Sequence, residues 1–286
     1  MSDAPSTAAR FDTLAVVGVG LLGGSVAMAA RSRGLVRRVI GVGRSRERLE
    51  AAREAAVIDS AETILAAISR ADLVVVCTPV DRIVSDIVAA ARIVGDGGTV
   101  TDVGSVKGAI VRDISTSPGA YKFVPSHPLA GSEQTGWQAG SAQLFQDRLC
   151  VITPFDGIDP KRLSRVEAFW QALGMRTTQV GPGEHDRLLA LTSHLPHAVA
   201  AALASLVGAA ERPFAATGFR DTTRIAAGDP AVWTPILLQN SGPLLESLGD
   251  LRSEIEKLES AIQQGDSEAV SAWLSHARQL RSELNS

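Results

Sequence analysis

The chain has 286 residues, 45% of them hydrophobic and 21% charged, which is the composition of an ordinary globular protein long enough for two domains. With 31 acidic against 28 basic residues the net charge is −3, and no basic run is interleaved with aromatics, so a nucleic-acid surface is not expected. Cys77 and Cys150 both sit in apolar stretches, which argues for free buried thiols rather than a disulfide framework or a thiolate zinc site.

Residues 1–12 read as a disordered leader without a hydrophobic signal core. No apolar run approaches the roughly 18 residues of a membrane span, so a cytoplasmic protein that contacts no membrane is expected. From Thr13 to about Gly181 short β-rich runs alternate with helical patterns, which predicts an α/β unit with a doubly wound, mostly parallel sheet. The runs are 13–18, 37–43, 72–79, 98–104, 122–126, 149–155 and 176–181, and LVVVC (73–77) is continuously apolar, as a strand covered on both faces should be. Helical patterns occupy 24–33, 46–56, 61–70, 80–92 and 163–173. After GPGEHD (181–186) no strand pattern returns, and His185 is expected in a solvated interdomain loop. Residues 182–286 read as an all-α unit. Within it Leu248, Leu251, Ile255, Leu258 and Ile262 recur at spacings of three and four, a stripe that should pack against another helix. Gly265-Asp266-Ser267 supplies a break and a fresh N-cap before the last helix.

The strongest local signal is Gly18-Val19-Gly20-Leu21-Leu22-Gly23, placed between an apolar strand and a helical pattern. In such a turn the first Gly allows the bend, the second admits a pyrophosphate, and the third lets helix and strand pack closely. The alternative is a tight turn with no ligand; the strand–turn–helix setting favours dinucleotide binding, with Thr78-Pro79 at a neighbouring strand end. About 20 residues on, where an NAD site normally places Asp or Glu, stands Gly43, followed by Arg44-Ser45-Arg46. No carboxylate would repel a 2′-phosphate and two guanidiniums could bind it, so the pattern favours NADP over NAD. Arg44 could also stack on the adenine of NAD, or both Arg could simply be a solvated helix start.

Substrate chemistry should lie beyond the carboxyl ends of the strands. Three segments carry suitable groups there: 102–107 (DVGSVK), 126–133 (SHPLAGSE) and 191–197 (LTSHLPH). His127, at a strand end, could take a proton from a substrate hydroxyl as hydride leaves. Its bland alternative is a hydrogen-bonded structural histidine. His194 and His197 are three apart, yet no acidic or Cys cluster completes a shell, so no metal is expected. Arg220 and Arg224 lie four apart, and Arg224 is the better clamp for an anionic substrate.

The set GVGLLGGS, DVGSVK, SHPLAGSE, LTSHLPH and GFRDTTRIAAGDPAVW, running in order from Thr13 to about Trp233, resembles the prephenate/arogenate dehydrogenase family of tyrosine biosynthesis. The resemblance implies oxidative decarboxylation of a dianionic cyclohexadienol with hydride transfer to NAD or NADP. It implies His127 as general base, with Ser105 orienting hydroxyl and imidazole, and Arg224 holding the ring carboxylate. Ser193 and His197 would line the pocket, Arg220 would add charge, Glu133 would gate it, and Trp233 would lie close by. A homodimer through the C-terminal helices is implied as well. Thr217 stands where many relatives carry a second Gly, which leaves prephenate against arogenate open. Two other readings share the architecture: an imine or 3-hydroxyacid reductase, and an NADP-binding sensor without turnover.

Overall fold

A computed structural model describes residues 10–284. Residues 1–9, most of the expected leader, lie outside them. Phe11 and Asp12 do not belong to a leader: they open strand β1 (Phe11–Val17), where Phe11 is buried edge-on against Phe169 at 5.8 Å.

Alternation along the strands decides how the sheet is covered. Leu14, Val16, Leu73 and Val75 enter one apolar core, and Ala15, Val17, Val74 and Val76 enter another on the opposite face. The strands are β1, β2 (Val36–Val42), β3 (Ser60–Glu62), β4 (Leu73–Val76), β5 (Thr99–Asp102) and β6 (Phe123–Val124), all parallel in the order β3-β2-β1-β4-β5-β6. That is the doubly wound order of dinucleotide-binding folds, whose crevice opens at the switch between β1 and β4. Helices α1 (Leu21–Ser32), α2 (Arg46–Glu54), α3 (Val80–Ile93) and α4 (Gly108–Ser115) make the crossovers.

Two details depart from the sequence reading. The 61–70 pattern is not one helix: it contributes to β3 and then a 3-10 turn, Leu65–Arg70. The 122–126 run is split at Pro125, which has no N–H for a ladder. Beyond it, β7 (Ser126–Pro128) leaves the large sheet and pairs antiparallel with β8 (Leu149–Ile152), which pairs parallel with β9 (Arg176–Gln179). His127 therefore stands on the second sheet, held to the first through Ser126. The Ser126 hydroxyl donates to the Asp102 carbonyl (2.6 Å) and accepts from Trp170 Nε1 (3.0 Å). Trp170 belongs to α5 (Pro160–Ala172), which covers this junction.

From Pro182 onward the described chain is helical. Helix α6 (Pro182–Leu189), a π turn (Ala190–His194) and α7 (Leu195–Ser205) run on as one rod. Then come α8 (Thr217–Thr223), a 3-10 turn (Arg224–Ala227), α9 (Pro230–Gln239), α10 (Ser241–Gln263) and α11 (Ser267–Glu283), the last capped by Asp266 on Ala269 N–H. The rod 182–205 is an exception to the expectation about membrane spans: by length and composition alone, with a mean hydropathy of 1.3, it could cross one. Its buried face carries His185, Asp186, His194 and His197, and His185 reaches His127 on β7. The α10 stripe splits in two. Leu251 and Leu258 are half-buried, whereas Leu248, Ile255 and Ile262, one heptad apart, stay exposed.

Candidate active site

At the end of β1 the backbone of Gly18 takes φ +94°, and a Cβ there would lie 2.8 Å from the Cys77 carbonyl oxygen. A Cβ on Gly23 would collide with the Gly18 carbonyl, so this glycine sets the distance between helix and strand. Gly20 differs: nothing lies within 4 Å of the position its Cβ would take. That open ground faces the start of α1, whose N-cap Gly20 supplies no side-chain hydrogen bond. The first-turn N–H groups, from Leu21, Leu22 and Gly23, are the donors a pyrophosphate requires. The residues present therefore fit a dinucleotide. Nearby, Pro79 caps α3 and the buried Thr78 hydroxyl has no partner among the described residues.

At the end of β2, Ser45 is committed to capping α2, accepting from Arg48 N–H at 3.3 Å. Arg46 reaches Glu50 at 3.8 Å. Arg44 is exposed and forms no ion pair among the described residues. The acid nearest in register, Glu62 at the end of β3, accepts the Ser60 hydroxyl.

His127 is buried, and its ring nitrogen Nδ1 lies 2.9 Å from His185 Nε2. His185 Nδ1 lies 2.8 Å from Asp186 Oδ1. The Asp186 carboxylate also accepts the backbone N–H groups of Lys107 and Gly108, both at 2.8 Å, so it caps α4 from another element. Burial would raise the Asp186 pKa, but hydrogen bonds from His185 and these two amides outweigh it and hold the group ionised below its usual range. An ionised Asp186 assigns the tautomers along the line. His185 donates from Nδ1 and accepts at Nε2; His127 donates from Nδ1, leaving its Nε2 lone pair free. Burial first, then His185, Lys107 and His194, hold the His127 pKa well below the ordinary imidazole value. The buried Lys107 ammonium pairs with the buried Asp102 carboxylate beneath this line.

The expected interdomain loop for His185 is thus overturned: it is the fourth residue of α6, fully buried, and the direct partner of His127. A cue was present in the sequence, since Gly181-Pro182 is a helix start with Pro at the first position. Ser105 is half-buried in the 102–107 segment, and no hydrogen bond joins it to His127; the Nδ1 partner is His185.

On the helical side, His197 stacks on Trp233 with ring centres 3.6 Å apart and planes 11° from parallel. Its Nδ1 is buried without a partner among the described residues, and burial lowers its pKa. Ser193 is half-buried in the π turn. His194 is not poised beside His197 as a ligand: its Nδ1 accepts from Asn240 Nδ2 at 2.8 Å, and burial lowers its pKa to about 4. Arg224 and Glu133, 91 positions apart in the numbering of the chain, meet at 3.8 Å with both side chains largely exposed. Arg220 does not join them; its Nε donates to the Ala215 carbonyl at 3.0 Å.

Residues 26–179 match the nucleotide-binding domain of prephenate dehydrogenase, and residues 181–276 match that enzyme's dimerization domain. This chain belongs to the prephenate dehydrogenase family. It is 34% identical to a cyclohexadienyl dehydrogenase of Zymomonas mobilis, over 90% of this chain and 91% of the relative. It is 32% identical to a prephenate dehydrogenase of Bacillus subtilis, over 96% of this chain and 76% of the relative. Among solved structures, prephenate dehydrogenase from A. aeolicus in complex with hydroxyphenyl propionate and NAD+ superposes with a TM-score of 0.90 at 30% identity, covering 96% of this chain and 98% of that one. Prephenate dehydrogenases and their cyclohexadienyl relatives are oxidoreductases of tyrosine biosynthesis, and this chain shares that oxidative decarboxylation chemistry. Family membership turns aside the imine reductase and sensor readings, which the architecture alone left open.

Proposed function

We propose that this chain oxidises prephenate or arogenate at the crevice between residues 13–181 and 182–286, with NADP as the preferred oxidant. The observation that carries the reading is the line Asp186–His185–His127; an ionised Asp186 at its end leaves the His127 Nε2 lone pair free. Bound in the crevice, the nicotinamide would supply the hydride acceptor. His127 Nε2 takes the proton of the ring hydroxyl as hydride departs and carbon dioxide leaves. Positive charge then arising on His127 is relieved by the His185 Nε2 lone pair and, one ring further, by the Asp186 carboxylate. Ser105 binds the same hydroxyl from the 102–107 segment.

A dianionic substrate needs cations or donors once it leaves water. Arg224 supplies the clamp for the ring carboxylate, a charge-assisted contact, while Glu133 stays at the other edge of the guanidinium and orients it. Ser193, His197 and Trp233 line the pocket, and Arg220 adds positive charge nearby. Two copies of the chain associate through the helical residues, where Leu248, Ile255 and Ile262 leave an apolar row uncovered.

The cofactor preference rests on Arg44, the guanidinium at the β2 end left without an ion pair. Purified chain is assayed by absorbance of the reduced nicotinamide with prephenate or arogenate and NAD or NADP, and turnover is expected with NADP in at least one combination. Silence in all four combinations, with cofactor binding shown by titration, overturns the reading. Arg44→Ala should weaken NADP on the order of ten- to a hundredfold, the worth of one charge-assisted hydrogen bond, and leave NAD nearly unchanged. Equal losses for both would remove the argument for NADP.

A further inference from the structure

The glycine turn accounts for Gly18, Gly20 and Gly23, but the motif continues into Gly24-Ser25, directly after the N–H groups a phosphate would take. Both residues are buried, on the side of α1 that meets the loop 129–148 between β7 and β8. A Cβ on Gly24 would stand 2.7 Å from Trp137 Cβ and 3.1 Å from Trp137 Cα, atoms that cannot swing away as a side-chain tip can. Ser25 works from the next position. Its hydroxyl donates to the Leu21 carbonyl (2.7 Å) and accepts from Ser141 N–H (3.0 Å). Gly24 and Ser25 thus grip both ends of the 3-10 turn Trp137–Ala139, the one piece of helix in a long connection. Such connections are usually either mobile or built for a purpose. This one leaves from Pro128, beside His127, and carries Glu133 to its contact with Arg224 before it reaches the grip.

We propose that Gly24, Ser25 and Trp137 are positioning residues for the ring substrate: a notch on α1 fixes the 129–148 loop so that Glu133 faces Arg224. The helix whose start would cradle the cofactor then also carries the substrate-side loop, and the two halves of the site share one rigid support. The inference rests on the reading of Glu133 and Arg224 given above. It also explains why a small residue is needed at position 24, which dinucleotide binding does not require.

The test compares full-length wild-type chain with Ser25→Ala and Gly24→Ala. Glutamyl endopeptidase cleavage at Glu133 reports whether the loop is held, because a protease needs the segment to open. Steady-state kinetics report KM for the ring acid, and titration reports the NADP dissociation constant. Both variants should be cut at Glu133 faster, and their KM should rise on the order of tenfold while NADP affinity stays within about twofold. Should Gly24→Ala fail to fold, Ser25→Ala, which removes an acceptor without adding volume, carries the comparison. Unchanged cleavage overturns the notch; faster cleavage with unchanged KM overturns its role toward substrate. KM and NADP affinity worsening together would place these residues in the cofactor site instead. A wild-type chain that turns over neither acid would instead sink the underlying reading of the site, whatever the cleavage pattern.

Discussion

As the proposed base, His127 can take a proton only while its imidazole is neutral, and its surroundings keep it so. An unperturbed imidazole titrates near 6.5, but burial and the neighbouring His185, Lys107 and His194 push the His127 value well lower. The acid limb of kcat/KM therefore lies below pH 6.5: activity persists as pH falls through that value and drops only in more acidic solution. A limb centred at or above 6.5 in a pH–rate profile would contradict the assignment. Stability runs the same way. His127, His185 and His194 all have folded values below their unfolded ones, His194 at about 4, so the folded state binds fewer protons. Their contribution is complete above about pH 6.5 and is lost as pH falls toward the folded values, which a series of melting temperatures will show. Removing the base by His127→Asn should leave NADP titration intact and lower turnover by a factor on the order of 10² to 10⁴. Asp186→Asn should cost a comparable factor because the tautomer of His185 is no longer dictated. Wild-type turnover in either variant would sink its role.

Among the elements, the 182–205 rod bears most directly on the substrate side. Pro196 has no N–H for the Thr192 carbonyl, and its ring would press on that oxygen in a regular helix. The π turn Ala190–His194 just before it gives the extra room. Widening by one residue rotates Ser193 and His194 relative to His197. That rotation lets His194 meet Asn240 while His197 meets Trp233. Pro196→Ala restores the missing donor, so we expect a melting temperature equal to or above wild type, together with a KM for the ring acid raised roughly tenfold. An unchanged KM would show that the turn does not shape the pocket. The α10 stripe teaches a related lesson. A three–four repeat predicts a partner helix, yet one chain covers only the Leu251 and Leu258 side.

For the whole molecule, the uncovered row Leu248, Ile255 and Ile262 argues for a second copy, in keeping with the dimerization domain matched at 181–276. Sedimentation should give twice the 29.9 kDa of one chain. A charge at the centre of the row, Ile255→Glu, should shift it toward monomer at micromolar concentration; a dimer unchanged by that substitution would move the interface elsewhere. The apolar alternation of β1 and β4, the glycine turn and the helical character of the residues from Pro182 on were all legible in the chain, because each depends on residues a few positions apart. Strand period, turn chemistry and helix caps are local, and local preferences survive into the fold. Partnerships across the chain were not legible. His185 lies 58 positions from His127, Asp186 caps a helix that begins at Gly108, Arg224 finds Glu133, and Trp137 sits in a notch cut at Gly24. Even the division of 122–126 between two sheets follows from where Trp170, Thr101 and Asp102 hold Ser126. Buried polar groups must be paired, but which ones meet is set by how the sheets and helices pack, and that packing is a property of the assembled chain.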